Sequence, residues 1–122
     1  MKILVCEDDP VMLLVLNRML EKMQYEVINA KDGKEAIDLI NTARPDIVIT
    51  DISLPVFSGL DIISFLKNLP RKKTPAILIS ALPMNAFKSN DGNFGSDAYF
   101  MKPVNADQLQ ATLEELRKEF KL

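Results

Sequence analysis

Glu7, Asp8, Asp51, Ser80 and Lys102 are the residues whose side chains could act together in this chain. They are distant in sequence, yet each lies at the end of a short apolar run. Asp51 closes Ile47-Val48-Ile49-Thr50 and opens the turn Asp51-Ile52-Ser53-Leu54-Pro55. Three carboxylates held close together repel one another, and at least one would titrate high. A hard divalent cation relieves that repulsion, and carboxylates with backbone carbonyls and waters suit Mg²⁺. Together with Lys102 the three acids carry two net negative charges, which Mg²⁺ would cancel, so the pocket could accept an anion. The natural anion is a phosphoryl group, because carboxylates form aspartyl phosphates. Asp51 would be the nucleophile, with the metal bridging it to one phosphoryl oxygen. Lys102 would neutralise a second oxygen, and the Ser80 hydroxyl would donate to a third. Phosphoryl transfer needs mainly positioning and charge neutralisation. An ionised carboxylate needs no general base, so the absence of His from this chain is no obstacle.

These residues can meet only if the apolar runs are neighbouring strands. Short apolar runs alternate with amphipathic stretches, which argues βα units on a parallel sheet. Strands are expected at about Lys2 to Cys6, Glu26 to Asn29, Asp46 to Thr50, Ala76 to Ser80 and Ala98 to Met101. Asp9-Pro10 reads as a helix cap followed by Pro at the first helical position, with Met12, Leu16, Met19, Leu20 and Met23 as the buried stripe. Asp32 and Glu35 start a second helix that buries Ala36, Ile37 and Ile40. A third begins near Ser58-Gly59 and buries Ile62, Ile63, Leu66 and Leu69. Arg71-Lys72-Lys73 reads as a solvated loop. The last helix is capped by Asn105 and buries Leu109, Leu113, Leu116 and Phe120, with Glu114 and Lys118 able to pair across one turn. Between them, Pro83 to Phe94 should hold a short or irregular helix, since Asn85, Ser89, Asn90, Asp91, Gly92 and Asn93 favour turns.

The fold class is therefore α/β, a three-layer αβα sandwich. Right-handed crossovers favour the flavodoxin-like (βα)₅ arrangement, a five-stranded parallel sheet in the order 2-1-3-4-5. The ends of strands 1, 3, 4 and 5 then share one rim, where open α/β sheets bind their ligands.

Composition sets outer bounds. At 122 residues the chain is expected to be one domain, residues 1–122. No apolar run approaches the roughly 20 residues of a membrane span, and the apolar start is too short for a signal peptide. One Cys permits no internal disulfide, which fits a reducing, cytoplasmic compartment. A formal net charge of -2 does not favour a nucleic-acid surface.

With these residues in place, the chain resembles the receiver domains of two-component response regulators. The resemblance rests on Ile3-Leu4-Val5-Cys6-Glu7-Asp8-Asp9-Pro10, Asp51-Ile52-Ser53-Leu54-Pro55 with Gly59, Ser80-Ala81, and Asp97-Ala98-Tyr99-Phe100-Met101-Lys102-Pro103. It implies Asp51 as phosphoacceptor, Asp8 as a direct Mg²⁺ ligand and Glu7 as a ligand through water. It implies the Ser53 backbone carbonyl in the metal shell, Ser80 and Tyr99 as a switch pair, and a cis peptide at Lys102-Pro103. Ser53 and Leu82 match positions that tune hydrolysis, and neither offers a charge to orient water. The implied partners are a histidine kinase or histidine phosphotransfer protein as donor, met at the first helix and the loop after the fifth strand, and an output domain or target protein. The chain would be a phosphoacceptor that catalyses its own loading and autodephosphorylation, not an enzyme acting on a foreign substrate. The alternative is a phosphorylation-independent interaction module of the same fold. Such modules usually lose an acidic or lysine position, and none is lost here. An FMN module would need a phosphate-cradling first loop where Glu7-Asp8-Asp9-Pro10 stands. A dehalogenase-type phosphatase would need Asp where Ser53 stands.

Overall fold

A computed structural model describes residues 1–82 and 95–122. In chain order the elements are β1 (Lys2–Cys6), α1 (Pro10–Lys22), β2 (Glu26–Ala30), α2 (Gly33–Ala43), β3 (Ile47–Asp51), α3 (Gly59–Lys67), β4 (Ala76–Ser80), β5 (Ala98–Met101) and α4 (Ala106–Glu119). The helix expected over Pro83 to Phe94 lies outside the described residues. The five strands form one parallel sheet in the order β2-β1-β3-β4-β5.

Side chains alternate across each strand, so the sheet feeds two cores. Ile3, Val5, Ile47, Ile49, Ile77 and Ile79 point to the face covered by α1 and α4, where they meet Leu16, Leu20, Leu109, Leu113 and Leu116. Leu4, Cys6, Val48 and Leu78 point to the opposite face and meet Ala36, Ile40, Ile62, Ile63 and Leu66 of α2 and α3. Methionines serve as packing: Met12 and Met19 of α1, and Met23 just after it, are partly buried against the first core. In α2 Ala36 and Ile40 are buried and Leu39 packs partly buried against the same core, while Ile37, expected in that stripe, is partly buried and belongs to neither core.

Local chemistry starts the helices where it was expected. Asp9 accepts from the Val11 N–H at 3.0 Å, Asp32 from the Glu35 N–H at 2.8 Å, and Asn105 from the Gln108 N–H at 3.0 Å. Each bond satisfies one orphan donor of a helix start. In α3, Ser58 and Asp61 form a full capping box. Strand β3 runs one residue later than expected, so Asp51 is still in register, opposite Ile79 of β4. Asp46 instead turns its carboxylate onto the Lys2 N–H at 2.7 Å.

Two surface expectations are corrected. Glu114 pairs with Arg117 at 3.0 Å, not with Lys118, because it also accepts from the Tyr25 hydroxyl at 3.1 Å. Arg71-Lys72-Lys73 is more than a solvated loop. Arg71 donates to the Ile40 carbonyl in the last turn of α2, at 3.1 Å. Lys73 pairs with Asp97 at 3.0 Å and lies over the Phe120 ring. Asp97 in turn accepts from the Ala76 N–H at 2.9 Å, so this stretch ties the starts of β4 and β5 together.

Candidate functional site

The strand register alone brings the acids and the lysine together. Cys6 of β1 lies opposite Thr50 of β3, so the next residues, Glu7 and Asp51, are neighbours. Asp51 lies opposite Ile79, which puts Ser80 one step beyond it on the next strand. Ser80 lies opposite Met101, and Lys102 follows. Four strand ends thus deliver their polar groups to one rim.

The side chains close on one another there. The Lys102 ammonium donates to Asp51 Oδ2 at 2.8 Å and to both Glu7 oxygens at 3.2 and 3.3 Å. Asp51 Oδ1 accepts from the Ser53 N–H at 3.3 Å. Glu7 is 1% exposed, whereas Asp8 is exposed. Each of Glu7, Asp8 and Asp51 offers an oxygen within 4.8 Å of the other two. Asp9 is spent as the cap of α1 and stands outside this group. A cavity of about 360 Å³ opens beside Glu7 and Asp8, between the start of α1 and Lys31.

The electrostatics follow from burial and crowding. Glu7 loses hydration and faces Asp51, which pushes its carboxyl up to about 7 despite the Lys102 ammonium. Desolvation works against charge on Lys102, but the Asp51 and Glu7 carboxylates outweigh it and hold the lysine above its ordinary value. Burial pushes the Cys6 thiol up to about 12, so this cysteine is a packed apolar group and no nucleophile.

The donor set fits a hard divalent cation: three carboxylates on one side, with oxygen ligands only. Glu7, Asp8 and Asp51 form a site able to hold a metal. Ser53 is exposed in the loop that follows, with its N–H turned to Asp51.

Ser80 and Tyr99 do not touch each other directly. Ser80 is buried, and its Oγ accepts from the Leu82 N–H at 3.1 Å. Tyr99 packs partly against the α2/α3 core, and its hydroxyl donates to the Leu82 carbonyl at 2.7 Å. The two residues are therefore joined through one backbone residue, Leu82, whose side chain is exposed. In the sequence Leu82 stands out only as a side chain with no charge to orient water; its backbone groups carry no signal there. Gly59 gains a reason as well. A Cβ there would collide with the backbone carbonyl of Asp51, so α3 starts hard against the residue that carries the central carboxylate. The peptide between Lys102 and Pro103 is cis, as expected.

Among the described residues, no helix is long and apolar enough to cross a membrane. Transcriptional regulatory protein CrdR from Helicobacter pylori is 34% identical over 113 residues, covering 93% of this chain and 53% of that protein, so the chain spans about half its length. The polar-differentiation response regulator DivK from Brucella anthropi is 29% identical, covering 92% of both chains. The fold agrees with that of the receiver domain of Francisella response regulator 1452, at a TM-score of 0.82 and 32% identity over 97% of each chain. It also agrees with response regulator TrrA from Thermotoga maritima, solved in complex with Mg²⁺-BeF, at a TM-score of 0.83 and 29% identity over 94% of this chain and 97% of that one. The family described as the response regulator receiver domain matches residues 3–114, and this chain, with its acid-lined rim and its 2-1-3-4-5 sheet, belongs to that family.

Proposed function

We propose that residues 1–122 form the phosphoacceptor receiver domain of a two-component system, with Asp51 taking a phosphoryl group from a histidine kinase or a histidine phosphotransfer protein. The observation that carries this reading is the convergence of Asp51 with Glu7, Asp8 and Lys102 at one strand rim. Glu7, Asp8, Asp51 and the Ser53 carbonyl would hold Mg²⁺, Glu7 through water. When bound, the ion supplies charge neutralisation at the phosphoryl oxygens.

An Asp51 carboxylate oxygen forms the new P–O bond as the P–N bond of the donor phosphohistidine breaks. The imidazole leaves with the electron pair and takes a proton from solvent. Lys102 gives up its bond to Asp51 and turns to a phosphoryl oxygen, which keeps its charge paired throughout. Ser80 Oγ, now the acceptor of the Leu82 N–H, swings to donate to the phosphoryl group. Leu82 then loses that anchor, while the Tyr99 hydroxyl still holds its carbonyl. Withdrawal of Ser80 thereby reaches Tyr99 through one residue, and the ring packs further inward. A shift of a few kcal/mol between the two arrangements is enough to signal to an output domain or target protein.

The donor is expected on α1, where Val11, Leu14 and Val15 are exposed and Leu14 lines the cavity beside Glu7 and Asp8. The reading needs no membrane or nucleic acid at this domain and fits a cytoplasmic protein that modifies itself and no foreign substrate. Labelling with acetyl phosphate and Mg²⁺, followed by borohydride reduction and peptide mapping, tests the assignment. Conversion of Asp51 alone is the expected result; conversion of a different acid would overturn it.

A further inference from the structure

Val56 is a β-branched residue at φ +71. In that region a β-branched side chain is a true conformational outlier. Its side chain is 67% exposed, so packing does not compensate the strain. The Phe57 N–H donates to the Pro55 carbonyl at 2.9 Å, which closes a three-residue γ-turn around Val56. The positive-φ form of that turn is rare and strained. Something outside the turn must hold it.

That support comes from α2. The Gly33 N–H, in the first turn of the helix, donates to the same Pro55 carbonyl at 3.0 Å. Gly33 is buried, and a Cβ on it would collide with the carbonyl oxygen and Cβ of Phe57. The turn therefore rests on bare backbone and can come this close only because residue 33 has no side chain. At the other end of the same loop, Gly59 abuts the Asp51 carbonyl, and its N–H donates to the Ile52 carbonyl at 2.8 Å. The segment from Asp51 to Phe57 is thus fixed at both ends by helix starts. Ser53 lies between those ends and is exposed.

We propose that Gly33 is a positioning residue for the metal-binding loop: it latches the strained Pro55–Phe57 turn and through it holds the Ser53 carbonyl where the cation binds. This rests on the reading of Asp51 as a Mg²⁺-dependent phosphoacceptor. Outer supports of a metal site typically change metal affinity by 10- to 100-fold. The latch acts on loop geometry and leaves Asp51 and Lys102 in place, so the effect should fall on Mg²⁺ dependence and spare the limiting rate.

The test compares wild type, Gly33→Ala and Ile40→Val, a mild core change in the same helix. Phosphoryl uptake from acetyl phosphate is followed by intact mass across a Mg²⁺ titration, below the melting point of every variant. Gly33→Ala should raise the Mg²⁺ concentration for half-maximal rate by about tenfold, with the rate at saturating Mg²⁺ nearly unchanged. Ile40→Val should match wild type. A Gly33→Ala protein with wild-type Mg²⁺ dependence would overturn the inference while leaving the phosphoacceptor reading intact, and so would an equal shift in Ile40→Val. Failure of wild type to take up phosphate would instead remove the phosphoacceptor reading, and the inference with it. Should Gly33→Ala not fold, hydrogen exchange on wild type decides. Coupling is reciprocal, so Mg²⁺ must slow exchange at the Gly33 and Phe57 amides; unchanged exchange at both would refute the latch.

Discussion

Replacing Lys102 by methionine removes the one cation among the described residues that touches both Glu7 and Asp51 and leaves their carboxylates facing each other. Removing one partner of a buried ion pair costs about 3–5 kcal/mol. Here the Lys102 side chain keeps 18% exposure and Asp51 11%, which places the cost near or below the lower end, about 2–3 kcal/mol. With an unfolding entropy of about 2.1 cal/mol/K per residue, that is a fall in Tm of about 8–12 °C at pH 8 in EDTA. The loss should depend on pH in a definite direction. The Glu7 carboxyl stands at about 7 in the folded chain against an ordinary 4.5, so folding favours its protonated form. Its contribution is fully present below pH 4.5 and is lost as pH rises through about 7. Without Lys102 the Glu7 carboxyl rises further, because an influence that lowers it is gone. At pH 5 it stays protonated in both proteins, and the difference in Tm should shrink. Calorimetric scans of both proteins from pH 5 to 8.5 in EDTA read this directly. An equal difference at pH 5 and pH 8, or no difference at either, would refute the account of Lys102 as the keeper of two crowded acids.

Other expectations follow from single contacts. Gly59→Ala should destabilise by about 1–3 kcal/mol, although Ala favours helix, because its Cβ meets the Asp51 backbone and overpacking carries that cost; chemical denaturation measures it, and an unchanged midpoint would count against the close approach. The Cys6 thiol, held at about 12, should react with a thiol reagent at pH 8 only as fast as the chain opens, so mild denaturant should speed it; immediate native labelling would contradict its burial. Ser53 and Leu82 present no charge to orient water, so the phosphorylated chain should lose its phosphoryl group over minutes or longer; a half-life of seconds would be contrary to this.

The parts of the fold legible in the sequence are those set by local chemistry or by one topological rule. Asp9, Asp32 and Asn105 cap helices because their short side chains reach the nearest backbone donors, whatever the tertiary context. The rim of Glu7, Asp51, Ser80 and Lys102 was legible because strand ends in a right-handed parallel sheet must align. What escaped depends on contacts between distant segments. Glu114 chose Arg117 because Tyr25, far away in sequence, bonds the same carboxylate. Arg71 found a carbonyl at the end of α2, which has no basic residue in its own last turn. The link from Ser80 to Tyr99 runs through the backbone of Leu82, and the role of Gly33 lies in an absent side chain. Neither backbone groups nor missing atoms leave a mark on a hydropathy pattern.

The proposed role of Asp51 is to accept a phosphoryl group with help from a bound cation. Intact mass after incubation with acetyl phosphate tests it most directly, on wild type with Mg²⁺, wild type with EDTA, and Asp51→Asn with Mg²⁺. A gain of about 80 Da is expected in the first sample alone. A gain that survives EDTA, a gain in Asp51→Asn, or no gain in folded wild type with Mg²⁺ would contradict it.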